Sequence, residues 1–337
     1  MRRQTLPGAG LSVSALCLGT AAFGDTLDER LSFRLLDAFV EAGGNFVDTA
    51  NVYGKWLEGG WSRSERIIGK WLRSRGCRDR VVIATKGAHP DLDAMHIPRL
   101  SPKCIADDLE ESLRHLQTDY IDLYWLHRDD PARPAEEIVG ALEEHVKAGR
   151  IRAYGCSNWS AARIAEARRC CDRHGFSGFV ANQLRWNLAT ANRERLSYPG
   201  LVEMDEEAFL FHLHTNMPAV AYTSQANGFF SKALSGDDGN RPQFEKLRAL
   251  YDNEPTRRAL ELVRLMSAET GLEPTQIALA YLLHQPFVTV PVIGPKNERQ
   301  LRQSLDALEL KLDERTLKRM REIRFPKLRG ENRVPGL

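Results

Sequence analysis

The chain has 337 residues, and its 47 basic side chains nearly balance 45 acidic ones for a formal charge of +2, so it offers nucleic acid no strong electrostatic lure. No apolar stretch approaches the roughly 18 uninterrupted residues of a membrane span, and no membrane partner is expected. The six cysteines show no C-x-x-C spacing, and Cys170 and Cys171 are adjacent; reduced thiols in a cytoplasmic protein are the simplest expectation.

Near the N-terminus two arginines are followed by Pro7, Gly8 and Gly10, which interrupt any apolar core of a signal peptide. Strand-like runs then follow at residues 15–19, 45–49, 81–86, 121–127, 151–156, 179–185, 219–223 and 288–293. Helix-patterned stretches lie between them at 30–42, 65–74, 102–115, 134–148, 161–174, 204–214 and 257–270, with 300–308 after the last strand. Ser64 and Ser160 stand at helix starts, and Gly43, Gly76, Gly149 and Gly175 stand past helix ends. Eight strands alternating with helices predict an α/β fold, a (β/α)8 TIM barrel forming a single domain over residues 1–337. The lack of G-x-G-x-x-G after an early strand counts against a doubly wound dinucleotide-binding sheet. Two long polar connections, 186–203 and 228–256, are expected on the catalytic face. The tail over 324–337 lacks periodicity.

Four ionisable residues stand after successive strand-like runs: Asp48 and Tyr53 in NFVDTANVYG, Lys86 closing VVIATK, and His127 closing IDLYWLH. In a parallel barrel such run ends share one mouth. A phenol titrating near about 10 is a weak acid at neutral pH, and a neighbouring ammonium lowers that value by stabilising the phenolate. Asp48 would hold Lys86, and His127 would orient a substrate carbonyl and share the charge developing on its oxygen. Such a set suits proton transfer coupled to hydride transfer.

These strings, together with LGTAAFG (18–24), SERIIGKWL (64–72), GRIRAYGCSNWS (149–160), ANQLRWN (181–187), VAYTSQANGFF (220–230) and VIGPKNERQL (292–301), resemble the aldo-keto reductase family along nearly the whole chain. The resemblance implies a barrel that binds a nicotinamide cofactor without a Rossmann fold, and it assigns the catalytic roles to Asp48, Tyr53, Lys86 and His127. It also implies that Ser157, Asn158 and Gln183 hold the nicotinamide carboxamide and that Tyr222 stacks on the ring. Gly19, Thr20, Thr223, Gln225 and Asn227 fall near the pyrophosphate, with Gln225 in place of the usual leucine. Gly294, Lys296, Gln300 and Ser304 fall at the adenosine end, and Asp48 borders the cofactor. Lys296 matches the cation that meets a 2′-phosphate, which favours NADPH, with NADH as the alternative. Ser304 replaces a common asparagine, and Gln300 sits where an arginine is more usual, with Arg299 one position earlier.

Relatives pass almost directly from Tyr53 to the next helix, whereas KWLEGGW (55–61) is inserted here. Trp56 and Trp61, with Phe23, Trp125 and Trp159, are expected to wall an aromatic substrate pocket, the alternative being that Trp56 and Trp61 only pack the insertion down. His89 and His96, which flank a long loop after Lys86, are further candidates to reach the rim. His212 and His214 resemble a metal pair, but on a helix they point apart by about 200°, and no metal is expected. The favoured function is NADPH-dependent reduction of an aldehyde or ketone, with a small-molecule carbonyl or alcohol as the only partner implied. Oxidation of a sugar or secondary alcohol uses the same residues in reverse. A non-catalytic subunit that retains a cofactor is the alternative of another class.

Overall fold

The computed structural model describes residues 1–196, 198, 200–235 and 242–328, the side chains of 242 and 243 excepted. The tail beyond residue 328 and the core of the segment SGDDGNRP lie outside the described residues.

Apolar β runs need cover on both faces, and a parallel ring with its crossover helices supplies it. The chain first forms an antiparallel hairpin, β1 (Arg3–Leu6) and β2 (Leu11–Ser14). Eight further strands follow: β3 (Cys17–Gly19), β4 (Phe46–Asp48), β5 (Val82–Gly87), β6 (Ile121–Leu126), β7 (Ile151–Ser157), β8 (Phe179–Arg185), β9 (Ala219–Tyr222) and β10 (Thr289–Ile293). They close in sequence order, with β10 pairing back onto β3, and every neighbouring pair is parallel. The barrel expected from the alternation is therefore present.

Side-chain alternation divides the core. On β6, Leu123 and Trp125 pack inside the barrel with Phe46, Ala84 and Val220, while Tyr124 and Leu126 pack outward with the helices. Leu6, Leu11 and Val13 of the hairpin join the interior group, so β1 and β2 plug the end of the barrel where the strands begin. The sequence reading took this segment only as a glycine- and proline-broken leader and began the first strand at residue 15. Trp125 fits inside because its neighbour in register is Gly155; a Cβ there would meet the indole at 2.3 Å.

Helix ends follow local chemistry. Asp28, Ser101, Ser160, Asp205 and Asn253 each accept a hydrogen bond from the backbone N–H three residues on, which satisfies a donor the helix itself leaves open. The expected glycines Gly76 and Gly175 end helices Arg63–Arg75 and Ala161–His174 in the left-handed region.

Two readings need correction. The 228–256 connection is largely helical, with Phe229–Leu234, Pro242–Tyr251 and the start of Glu254–Thr270. Helix Pro274–Leu283 was not anticipated because PTQIALAYLL is apolar on every side and carries no helical period. It is buried from Gln276 to Leu283 and opens with Pro274 and a Glu273–Gln276 capping box. Among the described residues no helix is long and apolar enough to cross a membrane.

Because Gly155 has no space for a methyl group, Gly155→Ala is expected to lower stability by about 1–3 kcal/mol through overpacking against Trp125. A fall in the urea midpoint at unchanged slope checks this.

Candidate active site

The sequence-predicted residues converge where the strands end. Gly19, Asp48, Ser157 and Tyr222 close β3, β4, β7 and β9; Lys86 and Gln183 lie near the ends of β5 and β8, and His127 follows β6. Gly294 follows β10. The ring thus directs one or more of them from each strand toward one mouth.

Lys86 is 1 % exposed and Asp48 3 %. The Lys86 Nζ donates to Asp48 Oδ2 at 2.5 Å, to the Thr49 carbonyl at 2.6 Å and to the Tyr53 hydroxyl at 3.3 Å. These three acceptors match the three protons of an ammonium. Burial alone would pull this ammonium down, but Asp48 and Tyr53 hold it above the ordinary lysine range. The other oxygen of Asp48 accepts from Gln183 Nε2 at 2.9 Å, linking β4 to β8 across the barrel.

His127 is buried with its ring edge-on to Tyr53 at 6.0 Å and to His89 at 4.7 Å between centroids. Burial, reinforced by the charges of His89, Arg128 and Lys86, pushes His127 well below the usual imidazole value. Burial and Arg128 bring His89 down to about 4. Both rings are therefore neutral near pH 7. Asn158 ties the mouth together from a left-handed conformation (φ 62°). Its Nδ2 donates to the His127 carbonyl at 3.2 Å and to Ser157 Oγ at 3.1 Å. Its Oδ1 accepts from Tyr222 OH at 2.7 Å and from the Val202 amide at 3.1 Å.

The residues around β9 and β10 form a second polar string. Gln225 Nε2 donates to Ser304 Oγ at 3.1 Å, Ser304 Oγ donates to the Gln300 carbonyl at 3.0 Å, and Gln300 Oε1 accepts from the Lys296 amide at 2.8 Å. Thr223, Ala226, Asn227 and Gly228 all have positive φ, a local winding that forms concave beds of backbone amides suited to anions. Lys296 is exposed, and its charge is felt by Lys232, which burial already lowers. Lys232 was missed because it lies in the stretch read as loop. Gly19 allows close approach, since a Cβ would meet Val292 at 2.7 Å. Thr20 is fully buried, with its hydroxyl donating to the Asp48 carbonyl and accepting from Ser64.

The aromatic pocket wall is corrected. Phe23, Trp125 and Trp159 are at most 1 % exposed. Trp125 fills the barrel interior, Phe23 lies in the outer core, and Trp159 packs edge-on to Phe179 beneath Arg163. Trp56 does reach the mouth, edge-on to Tyr53 at 6.2 Å, and its indole donates to Asp25. Trp61 lies instead under the Arg66 guanidinium. Of the six large exposed apolar side chains among the described residues, Trp56, Trp61, Leu92, Ile97 and Tyr198 stand on loops following β4, β5 and β8, so exposed apolar surface concentrates on the rim. His96 is exposed. His212 is buried, engaged by the Met217 carbonyl at 2.7 Å and by Asn182 at 3.3 Å, while His214 turns to Leu210.

A further buried cluster went unread. Glu65, fully buried, accepts from Thr85 Oγ1 at 2.6 Å and Ser62 Oγ at 2.9 Å and faces His115 at 3.4 Å. It anchors helix Arg63–Arg75 to β5 beside Lys86; the S-E pair marked a helix start but not this contact.

A parallel barrel that gathers a phenol, an ammonium–carboxylate pair and a neutral imidazole at its mouth, beside amide donors and an anion-suited loop, has the equipment of a dinucleotide-dependent oxidoreductase. Residues 15–324 match the sequence profile of the Aldo/keto reductase family. The chain belongs to that family, and it is an NAD(P)H-dependent enzyme of the carbonyl–alcohol couple acting on small molecules. It is 35% identical to the "Uncharacterized oxidoreductase YrpG" of Bacillus subtilis, over 98% of each chain. It is 30% identical to the aryl-alcohol dehydrogenase [NADP(+)] of Phanerodontia chrysosporium, covering 92% of this chain and 82% of that one. Identity to the norsolorinic acid reductase stcV of Emericella nidulans is 32%, over 93% and 78%.

The buried histidines set a pH dependence. His89 and His212 sit near about 4 in the fold and His127 also lies well below its ordinary value, whereas an unfolded histidine titrates near about 6.5. Below that pH the unfolded chain takes up protons that the fold refuses, so stability falls as pH drops from about 6.5 toward about 4. Urea midpoints measured across this window should decline, and His212→Gln should make the decline shallower.

Proposed function

We propose that this protein is an NADPH-dependent reductase of aldehydes or ketones, with Tyr53 as proton donor. The observation that carries the reading is one buried ammonium, Lys86, in contact with both Asp48 and the Tyr53 hydroxyl. When bound, a nicotinamide supplies the hydride to the carbonyl carbon. Tyr53 gives its hydroxyl proton to the carbonyl oxygen, and the phenolate left behind is stabilised by the Lys86 ammonium until water returns the proton. A neutral His127 donates a hydrogen bond toward the same oxygen, orienting the substrate and sharing its developing charge. Reversal of these steps oxidises an alcohol. The contact between Lys86 and Tyr53 favours turnover over a role limited to holding a cofactor.

Ser157, Asn158 and Gln183 supply the uncharged amide-matching groups for a carboxamide, and Tyr222 stands beside them to cover the ring. The Thr223–Gln225–Asn227 turn suits the pyrophosphate, with Gly19 and Thr20 opposite. Lys296 and the neighbouring Lys232 give the adenosine end a cationic character that suits a 2′-phosphate, with Gly294, Gln300 and Ser304 around it. The names of two relatives, an NADP(+)-linked aryl-alcohol dehydrogenase and a norsolorinic acid reductase, agree with the apolar rim in favouring aromatic substrates.

Tyr53→Phe is expected to lower turnover of 4-nitrobenzaldehyde by about 10²–10⁴-fold while NADPH binding, followed by fluorescence titration, stays close to that of the parent protein. Substantial turnover by this variant would remove Tyr53 as the donor. NADPH should outperform NADH, and Lys296→Gln should raise the KM for NADPH roughly tenfold with little change for NADH. Equal KM changes for the two cofactors would place Lys296 away from the phosphate.

A further inference from the structure

Several basic side chains around the mouth are paired with carboxylates. Lys86 is paired with Asp48, Lys55 with Glu111 at 2.7 Å, and Arg99 with Asp108 at 2.9 Å. Arg128, directly after His127, makes one hydrogen bond, from Nη1 to the His127 carbonyl at 3.2 Å. Its Nε is buried with no partner, and among the described residues no carboxylate pairs with it. The two aspartates that follow it are taken by others. Asp129 accepts from Arg163 at 3.3 Å, and Asp130 caps the Ala132 amide and faces Arg133. The groups that act on the Arg128 charge are instead those of the mouth, Tyr222, Tyr53 and Tyr198, and its own charge helps to lower both His89 and His127.

The position is well defined. Arg128 Nη1 and Asn158 Nδ2 donate to the same carbonyl oxygen, each at 3.2 Å, so they stand no more than twice that distance apart. Burial lowers the Arg128 guanidinium. A ligand carboxylate supplies the charge partner that the guanidinium lacks among the described residues, because the guanidinium fork matches a carboxylate. In the closed ring, β6 lies four strands from β10 in either direction. Arg128 therefore sits across the mouth from Lys296, the cation placed for the cofactor phosphate.

We propose that Arg128 binds a carboxylate carried by the substrate, so that the preferred substrates are apolar or aromatic aldehydes or ketones bearing a carboxylic acid. This rests on the carbonyl-reductase reading above and deepens it. The exposed rim formed by Trp56, Leu92, Ile97 and Tyr198 takes the apolar body, and Arg128 takes the charge.

The test compares 3- and 4-carboxybenzaldehyde with their methyl esters, using NADPH and the full-length protein. The parent enzyme is expected to favour at least one acid over its ester by tenfold or more in kcat/KM, chiefly through KM. In Arg128→Met that preference should fall roughly tenfold or more, and in Arg128→Lys by less. No preference for either acid in the parent enzyme overturns the proposal, whether or not the variants fold. So does a loss in Arg128→Met that is equal for acid and ester, which would make Arg128 a prop for His127. A matching loss of NADPH affinity, read by fluorescence titration, would assign Arg128 to the cofactor and also overturn it. If the parent enzyme reduces none of these aldehydes, the reductase reading fails, and calorimetric titration of the NADP⁺-loaded protein with benzoate and benzamide decides the carboxylate site separately. Saturable benzoate binding that exceeds benzamide and is lost in Arg128→Met sustains the site; equal binding of the two refutes it.

Discussion

The buried ion pair between Lys86 and Asp48 governs the arrangement of the mouth. An ammonium that is 1 % exposed is tolerable only where its charge and all its protons are met, because desolvation otherwise costs several kcal/mol. Adjacent strands satisfy that demand. The end of β4 supplies the carboxylate and the Thr49 carbonyl, and the turn beyond supplies the Tyr53 hydroxyl. Gln183 reaches across from β8 to occupy the remaining Asp48 oxygen. The same contacts that make the lysine bearable therefore fix the phenol beside a cation. Structural necessity and the proposed acid–base chemistry share one set of atoms.

Charge is distributed unevenly around this pair. His127 and His89 are held neutral by burial among cations, which leaves imidazole N–H groups as neutral donors rather than further positive charges. Asn158 links the His127 carbonyl, Ser157, Tyr222 and the Val202 amide, so strands β6, β7 and β9 hold one another at the mouth. Arg128 borders this network as a guanidinium without a carboxylate among the described residues, while Arg163 engages Asp129.

Apolar surface is divided in a similar way. Trp125 fills the barrel interior over Gly155 and Trp159 stays under Arg163, both fully enclosed in the core. The insertion after Tyr53 carries Trp56 outward, where its indole is held by Asp25 but its face remains accessible. Large aromatic side chains are thus enclosed beneath the mouth and exposed around its rim.

Much of this was legible without coordinates. Strand alternation announced the barrel, since the number and order of apolar runs leave few other ways to cover both faces. Asp48, Tyr53, Lys86 and His127 stood out because each follows such a run, and strand ends in a parallel barrel share one side. Periodicity could not show helix Pro274–Leu283, which is apolar all round, nor the hairpin plug, whose strands are only four residues each. It also placed Phe23, Trp125 and Trp159 in a pocket wall, because a large aromatic near a strand end reads alike whether it faces the mouth or the core. Arg128 illustrates the remaining limit. In HRDDP it looks neutralised by its neighbours, and only folding reveals that Arg163 and Arg133 take those carboxylates. Sequence by itself determined what depends on local order: the alternation of elements and the chemical types at strand ends. Tertiary structure decided which of those groups meet, because pairing, burial and the sense of each side chain depend on residues distant in the chain.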